Sequence, residues 1–321
     1  MVKKFVYGTP FETEAVVKEI PSSEGNPDYG TFSTENGFSF TTKLADDDMV
    51  FGLGEANRGI NKRGFLYISD CADDPNHVES KTSLYAAHNF IIISGKTHVG
   101  FFFDYPGTLR FDIGYTTSDT MTVSCENADL YVYMITGDSD LDIVKQFRGI
   151  IGRSYIAPKF AFGYGQSRWG YKTEDDFRTV VKKYRENHVP LDMVYMDIDY
   201  MQDYKDFTVN EERFPDFEGF VQDMKKEKIH LVPIIDAGVK VEEGYDIYEE
   251  GCEKGYFCRR EDGSYFEATV WPGWTHFPDV LNADARKWFG DKYDVLVSKG
   301  IDAYKAMGPN GSFICTWAII L

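Results

Sequence analysis

The sequence has no uninterrupted apolar run near the ~20 residues that a membrane-spanning helix needs, and its first residues carry no signal-peptide core. Lys3 and Lys4 are followed by Tyr7, Gly8, Pro10 and Glu12, not by an apolar stretch. No membrane partner and a cytoplasmic location are therefore expected. Basic clusters are missing as well. Thirty-four Lys and Arg against fifty-two Asp and Glu give a formal charge of -18, which repels phosphate backbones and excludes a nucleic-acid partner. Cysteine is scarce: residues 71, 125, 252, 258 and 315 are an odd number with no C-x-x-C pair, so free thiols are expected and neither a disulfide framework nor a zinc knuckle. The six histidines are scattered, with no H-E-x-x-H and no Ser/His/Asp signature, which leaves zinc catalysis and hydrolase triads without support. The Gly52-Leu53-Gly54 pair precedes no helix and marks a turn, not a phosphate cradle.

What is present is a globular composition, 43% hydrophobic and 27% charged, in a chain long enough at 321 residues for two cores. Through residues 1–140 short alternating segments such as 37–42, 89–94, 99–104 and 130–134 are separated by Gly, Pro, Asn and Asp, the pattern of an antiparallel β-sandwich. Leu141, Val144, Phe147, Ile150 and Ile151 then share one face of a helix, which makes 141–157 a helical connector. Over residues 158–305 strand and helix alternate. Strands are expected at 160–165, 193–200 and 229–239, with a fourth beginning at 300–304; helices are expected at 173–187, capped by Thr173, at 217–227, and at 283–298, capped by Asn282. Nearly continuous apolar strands of this kind are buried on both faces, and four such repeats make half of a (β/α)8 TIM barrel. Residues 306–321 form a tail outside the pattern.

Candidate chemistry gathers at the ends of those strands. In Met196-Asp197-Ile198-Asp199-Tyr200 an apolar strand ends in two acids two residues apart, hence on one side, where barrel active sites lie. Asp197 is read as functional; Asp199 either caps the next loop or acts as a ligand. Asp236 ends the third strand in the same way, as a substrate contact or as a buried acceptor ordering the mouth. Trp169, in Gln166-Ser167-Arg168-Trp169-Gly170-Tyr171, is read as a stacking wall for a sugar, with core packing as its alternative. Trp271 and Trp274 fall in an irregular stretch where at least one lines the site.

Taken together, Phe51-Gly52-Leu53-Gly54-Glu55, Phe162-Gly163-Tyr164-Gly165-Gln166-Ser167-Arg168-Trp169-Gly170-Tyr171, Met196-Asp197-Ile198-Asp199-Tyr200-Met201, Asp206-Phe207-Thr208 and Phe214-Pro215 resemble glycoside hydrolase family 31, especially its bacterial α-glucosidases, from the start to about Ala303. The resemblance implies a galactose-mutarotase-like sandwich followed by a TIM barrel, retaining exo-hydrolysis of a small oligosaccharide ending in α-glucose, and no cofactor or metal. It implies a substrate-binding set of Asp73, Trp169, Asp197, Ile198, Asp199, Asp236 and Trp271.

The resemblance breaks at the fourth strand, where the family reads Gly-Ile-Asp-Ala-Phe-Trp-Asn-Asp-Met-Asn-Glu-Pro and places its nucleophile just before that Met. Here Met307 falls at the nucleophile and Lys305 at the family tryptophan, Asp302 is expected mid-strand in the wrong register, and residues 303–321 hold no Asp or Glu. Retaining hydrolysis needs two carboxyls ~5 Å apart, so the expectation is a truncated, inactive amino-terminal portion that self-associates through its exposed barrel edge. The competing readings are a non-catalytic carbohydrate-binding protein and a metal-dependent Asp-x-Asp glycosyltransferase.

Overall fold

Alternation builds the first unit, Met1–Tyr155. Its strands are β1 (Val2–Tyr7), β2 (Thr31–Ser33), β3 (Phe38–Lys43), β4 (Met49–Gly52), β5 (Phe65–Ser69), β6 (Phe90–Ser94), β7 (His98–Asp104), β8 (Leu109–Ile113), β9 (Thr120–Cys125) and β10 (Leu130–Gly137). They form two five-stranded antiparallel sheets, ordered β1-β10-β7-β6-β4 and β2-β3-β9-β8-β5. Along β3 the buried residues Phe38, Phe40 and Thr42 alternate with partly exposed ones, and the Phe40 ring meets Phe101 of the facing sheet at 4.7 Å. The computed structural model describes residues 1–70, 76–84 and 86–307.

β6 and β10 are apolar without alternation because helix α1 (Asp140–Ile151), capped by Ser139, covers their second face. Its stripe differs from the expected one. Leu141 is 63% exposed, whereas Ile143 and Ile150 are buried and Phe147 stacks on Phe90 at 3.8 Å. Residues 143, 147 and 150 are spaced i, i+4 and i+7 and so share the face turned to the sheet, from which Leu141 points away.

The second unit starts at Ile156 and carries parallel strands β11 (Gly165–Gln166), β12 (Met193–Met196), β13 (His230–Asp236) and, after a long insertion, β17 (Lys305–Met307), in the sheet order β11-β12-β13-β17. Helices α2 (Glu174–Glu186) and α3 (Phe217–Lys226) follow the first two strands, as in a βα barrel. The insertion holds β14 (Val239–Lys240), α4 (Asp246–Lys254), the hairpin β15 (Glu267–Val270) and β16 (Gly273–His276), then α5 (Ala283–Lys292) and α6 (Asp294–Val297). Register separates the sheet's faces. Val194, Met196, Leu231 and Ile235 pack with Phe177, Val181, Phe220 and Met224 of the helices, while Met193, Val232 and Ala303 gather on the opposite face. Burying each such large apolar side chain contributes about 1.5–3 kcal/mol.

Several elements are shorter than their sequence pattern. Residues 160–165 are not one strand: Lys159–Phe162 is a 3-10 turn, and β11 keeps only Gly165–Gln166. β12 stops at Met196, and Ile198–Tyr200 is another 3-10 turn. The apolar run at 229–239 is split between β13 and β14, which pair in different sheets. The 283–298 helix breaks at Tyr293 into α5 and α6. Asp302 lies ahead of β17, not within a strand. Its carboxylate sits 3.1 Å from His230 Nδ1 and 3.4 Å from Lys225 Nζ at the amino end of the sheet. Among the described residues no helix is long and apolar enough to cross a membrane.

α2 opens with a complete capping box: Thr173 Oγ1 accepts the Asp176 N–H at 3.3 Å and Asp176 Oδ2 accepts the Thr173 N–H at 3.0 Å. Thr173→Ala is expected to cost about 1 kcal/mol. Urea unfolding checks this; a change under a few tenths would show that packing alone holds the helix.

Candidate functional site

Asp197 and Asp236 come together at the carboxyl ends of neighbouring parallel strands. The register pairs Met193 with His230 and Tyr195 with Val232, so the residues that share a face are Met193 and Tyr195 on β12 and Val232, Ile234 and Asp236 on β13. Asp197 stays extended at φ -77° and ψ -179°, which carries the alternation one residue past β12 and sets its carboxyl on that same face. The electrostatics agree. Burial first and the Asp197 charge second raise the Asp236 carboxyl to about 6, and Lys305 on β17 partly offsets them.

Asp199 is not on the side of Asp197. The 3-10 turn at Ile198 breaks the period of two, and Asp199 is buried at 1% exposure with Oδ1 3.6 Å from Arg213 Nη1; the same nitrogen donates to the Asp199 carbonyl at 2.7 Å. The residue that caps the turn is Asp197, whose Oδ1 accepts the Ile198 N–H at 2.8 Å. Ile198 is buried in the helix-side core.

Trp169, Trp271 and Trp274 are surface residues. Trp169 is 65% exposed, beyond β11, which removes the core-packing alternative. Trp271 and Trp274 are not in an irregular stretch: Trp271 occupies the two-residue turn of the β15–β16 hairpin and Trp274 lies on β16, at 68% and 62% exposure. Both stand clear of the core. Asp73 lies outside the described residues, and of Met307 only the backbone is described, paired in register with Asp236.

Sequence reasoning used Asp206 only as a mark of resemblance, yet it is a buried neighbour of the site: its Oδ1 accepts the Asp236 N–H at 3.0 Å. It sits in an irregular loop with no period to reveal it. In the sandwich Asp104 is buried, and burial first and the nearby Glu12 charge raise its carboxyl while the Thr13 hydroxyl lowers it. The cleft lined by Gly52, His88, Phe90, Phe102 and Phe147 contains Asp104 alone, hydrogen-bonded by Thr13 Oγ1 at 2.6 Å. Among the described residues no group of three His, Cys, Asp or Glu side chains converges to hold a metal, and Cys125, Cys252 and Cys258 are free thiols.

Comparison with known proteins adds an independent line. The glycosyl hydrolases family 31 TIM-barrel domain matches residues 154–308, and the glycosyl hydrolase 31 N-terminal galactose mutarotase-like domain matches residues 11–112. An alpha-glucosidase 2 of Bacillus thermoamyloliquefaciens is 36% identical over 265 residues, 81% of this chain and 33% of that protein. An alpha-glucosidase of Saccharolobus solfataricus is 27% identical over 306 residues, 94% of this chain and 44% of that protein. The fold of a Flavobacterium johnsoniae GH31 dextranase, solved with isomaltotriose, superposes with a TM-score of 0.78 at 22% identity, covering 86% of this chain and 34% of the dextranase. The chain thus spans a third to under a half of the length of these relatives. The matches leave the glycosyltransferase and carbohydrate-binding alternatives without support.

Because the folded Asp236 carboxyl is raised above its unfolded value of 3.8, the protonated form favours folding; that contribution is complete below 3.8 and is lost as pH rises through about 6. Relative to Asp236→Asn, the native chain is expected to lose up to about 3 kcal/mol between pH 4 and pH 7. Urea unfolding of both proteins at the two pH values checks this, and parallel pH profiles would contradict it.

Proposed function

This chain belongs to glycosyl hydrolase family 31, and on that premise we propose that it supplies the sandwich and the first four barrel strands of a retaining α-glucosidase acting on oligosaccharides that end in α-glucose. The observation that carries the reading is the Asp197–Asp236 pair on one sheet face at the strands' carboxyl ends. A carboxylate accepts from two hydroxyls at once, and the vicinal hydroxyls of a terminal glucose present donors at that spacing. Asp197 is the main ligand in this reading, and Asp236 shapes the pocket beside it. The exposed indoles of Trp169 and Trp271 offer flat faces for the sugar ring.

Breaking the bond by retention needs a nucleophile and an acid flanking the anomeric carbon, ~5 Å apart. Asp197 and Asp236 stand side by side on one face, which suits recognition and does not flank a bond. Beside Asp236 the register position is Met307, and residues 303–321 contain no carboxylate. A thioether cannot take the carboxylate's place in this route, because its sulfonium adduct with the sugar would carry positive charge where an ester is neutral. These 321 residues by themselves are therefore proposed not to cleave the sugar, and to keep only the weak contact that the Asp197–Asp236 part of an enzyme's pocket allows. Self-association through the sheet edges β11 and β17 belongs to the same proposal.

With p-nitrophenyl α-glucoside the chain is expected to give no turnover above the blank. Glucose is expected to change tryptophan emission with a Kd on the order of 1–10 mM, an affinity that Asp197→Asn removes. Turnover matching a full-length relative, lost in Asp197→Asn, would make the Asp197–Asp236 pair the catalytic couple and overturn the proposal; an emission unchanged at saturating sugar would remove the pocket itself.

A further inference from the structure

β12 leaves β13 before β13 ends. The last paired residues are Met196 and Pro233, so the carbonyl of Ile234 and the N–H of Asp236 on that side lie beyond the end of β12. Buried backbone groups require partners, and side chains supply them here. The Tyr200 hydroxyl donates to the Ile234 carbonyl at 2.8 Å, and Asp206 Oδ1 accepts the Asp236 N–H at 3.0 Å. Both side chains are inside the core at 0% and 1% exposure. Among the described residues Asp206 Oδ2 and Asp236 Oδ1 have no protein partner.

The loop that delivers Asp206 is held in a costly conformation. Asp203, Tyr204 and Phe207 have φ of 52°, 59° and 61°, the left-handed region that non-glycine residues rarely occupy. Such a backbone persists only where its surroundings over-determine it. Here the Tyr245 hydroxyl donates to the Asp206 carbonyl at 2.8 Å, Lys205 Nζ meets Glu242 at 2.8 Å, and the Phe207 ring packs edge-on against Phe289 and Tyr293 at 5.0 and 5.3 Å.

We propose that Asp206 is a positioning residue for the substrate-facing acid Asp236: it clamps the Asp236 N–H from inside the core, in place of the departed strand, and so fixes where the Asp236 carboxyl stands. The inference rests on the reading of Asp236 as a pocket acid. Protonation supports it. Burial first and the Asp236 charge second raise the Asp206 carboxyl well above its ordinary value, which favours the neutral form as the acceptor of that N–H. The titratable groups facing it are Asp236 from β13, Tyr200 from the turn after β12, Tyr245 ahead of α4 and Tyr293 at the end of α5; Asp197 and Lys305 face Asp236.

The test compares the native chain with Asp206→Asn, which keeps the acceptor without a charge, and Asp206→Leu, which removes it. Amide hydrogen exchange at Asp236, taken relative to Val232, is expected to stay within about threefold in the Asn chain and to rise about tenfold or more in the Leu chain. A residue of merely general structural value would speed both amides alike, and an unchanged ratio in Asp206→Leu overturns the proposal. The Asn comparison stands alone if the Leu chain does not fold. Its carboxyl-13C titration of Asp236 should hold within about half a pH unit of the native midpoint, whereas a fall of about one unit or more would reveal an ionised Asp206 and overturn the clamp as drawn. Loss of sugar binding by the native chain would sink the pocket reading and leave the exchange comparison intact, so the two failures are distinguishable.

Discussion

Two carboxyls at the ends of adjacent parallel strands, one of them buried against the charge of the other, are the constraint around which the second unit is arranged. The pairing of Met193 with His230 and Tyr195 with Val232 leaves no choice of face for Asp236, and the extended backbone of Asp197 leaves none for its carboxyl. Burial and the charge of Asp197 then hold a proton on Asp236 to about pH 6. Each unit of such a shift is worth about 1.4 kcal/mol, enough to matter beside a domain's net stability.

The surroundings show how that cost is contained. Where β12 departs, Tyr200 and Asp206 complete that side of β13 with side-chain hydrogen bonds, while β17 pairs with the other side to the last residue. Just beyond, Gly238 permits the hairpin to close over the strand end; a Cβ there would come within 2.9 Å of Val270 Cγ2. The same hairpin turn presents Trp271. One short stretch of chain, 236–239, therefore ends the barrel strand, changes sheet and seats an aromatic rim.

The sequence made much of this legible, and the limits have physical causes. Period-two alternation located the sandwich strands, because one face meets the core and the other solvent. α2 and α5 announced themselves through Thr173 and Asn282, whose side chains do cap them. The same period misled at Asp199: its carboxyl was expected beside that of Asp197, but a 3-10 turn breaks the alternation after Asp197 and turns Asp199 toward Arg213. The fourth strand began five residues later than its apolar onset suggested, since Ile301 and Ala303 are buried by helices and core ahead of any ladder. Asp206 was the hardest to see. A lone acid in a loop carries no periodic signal, and only the backbone groups that β12 abandons reveal its use.

The pressure of the Asp197 charge on Asp236 is open to direct measurement. Carboxyl-13C titration of Asp236 in the native chain and in Asp197→Asn should show the midpoint falling below its native value of about 6 once the neighbouring charge is gone. It should remain above the ordinary aspartate value, because burial is the larger cause. An Asp236 midpoint that does not move with Asp197 would mean that the two carboxyls do not share a face, and the site as described would not exist.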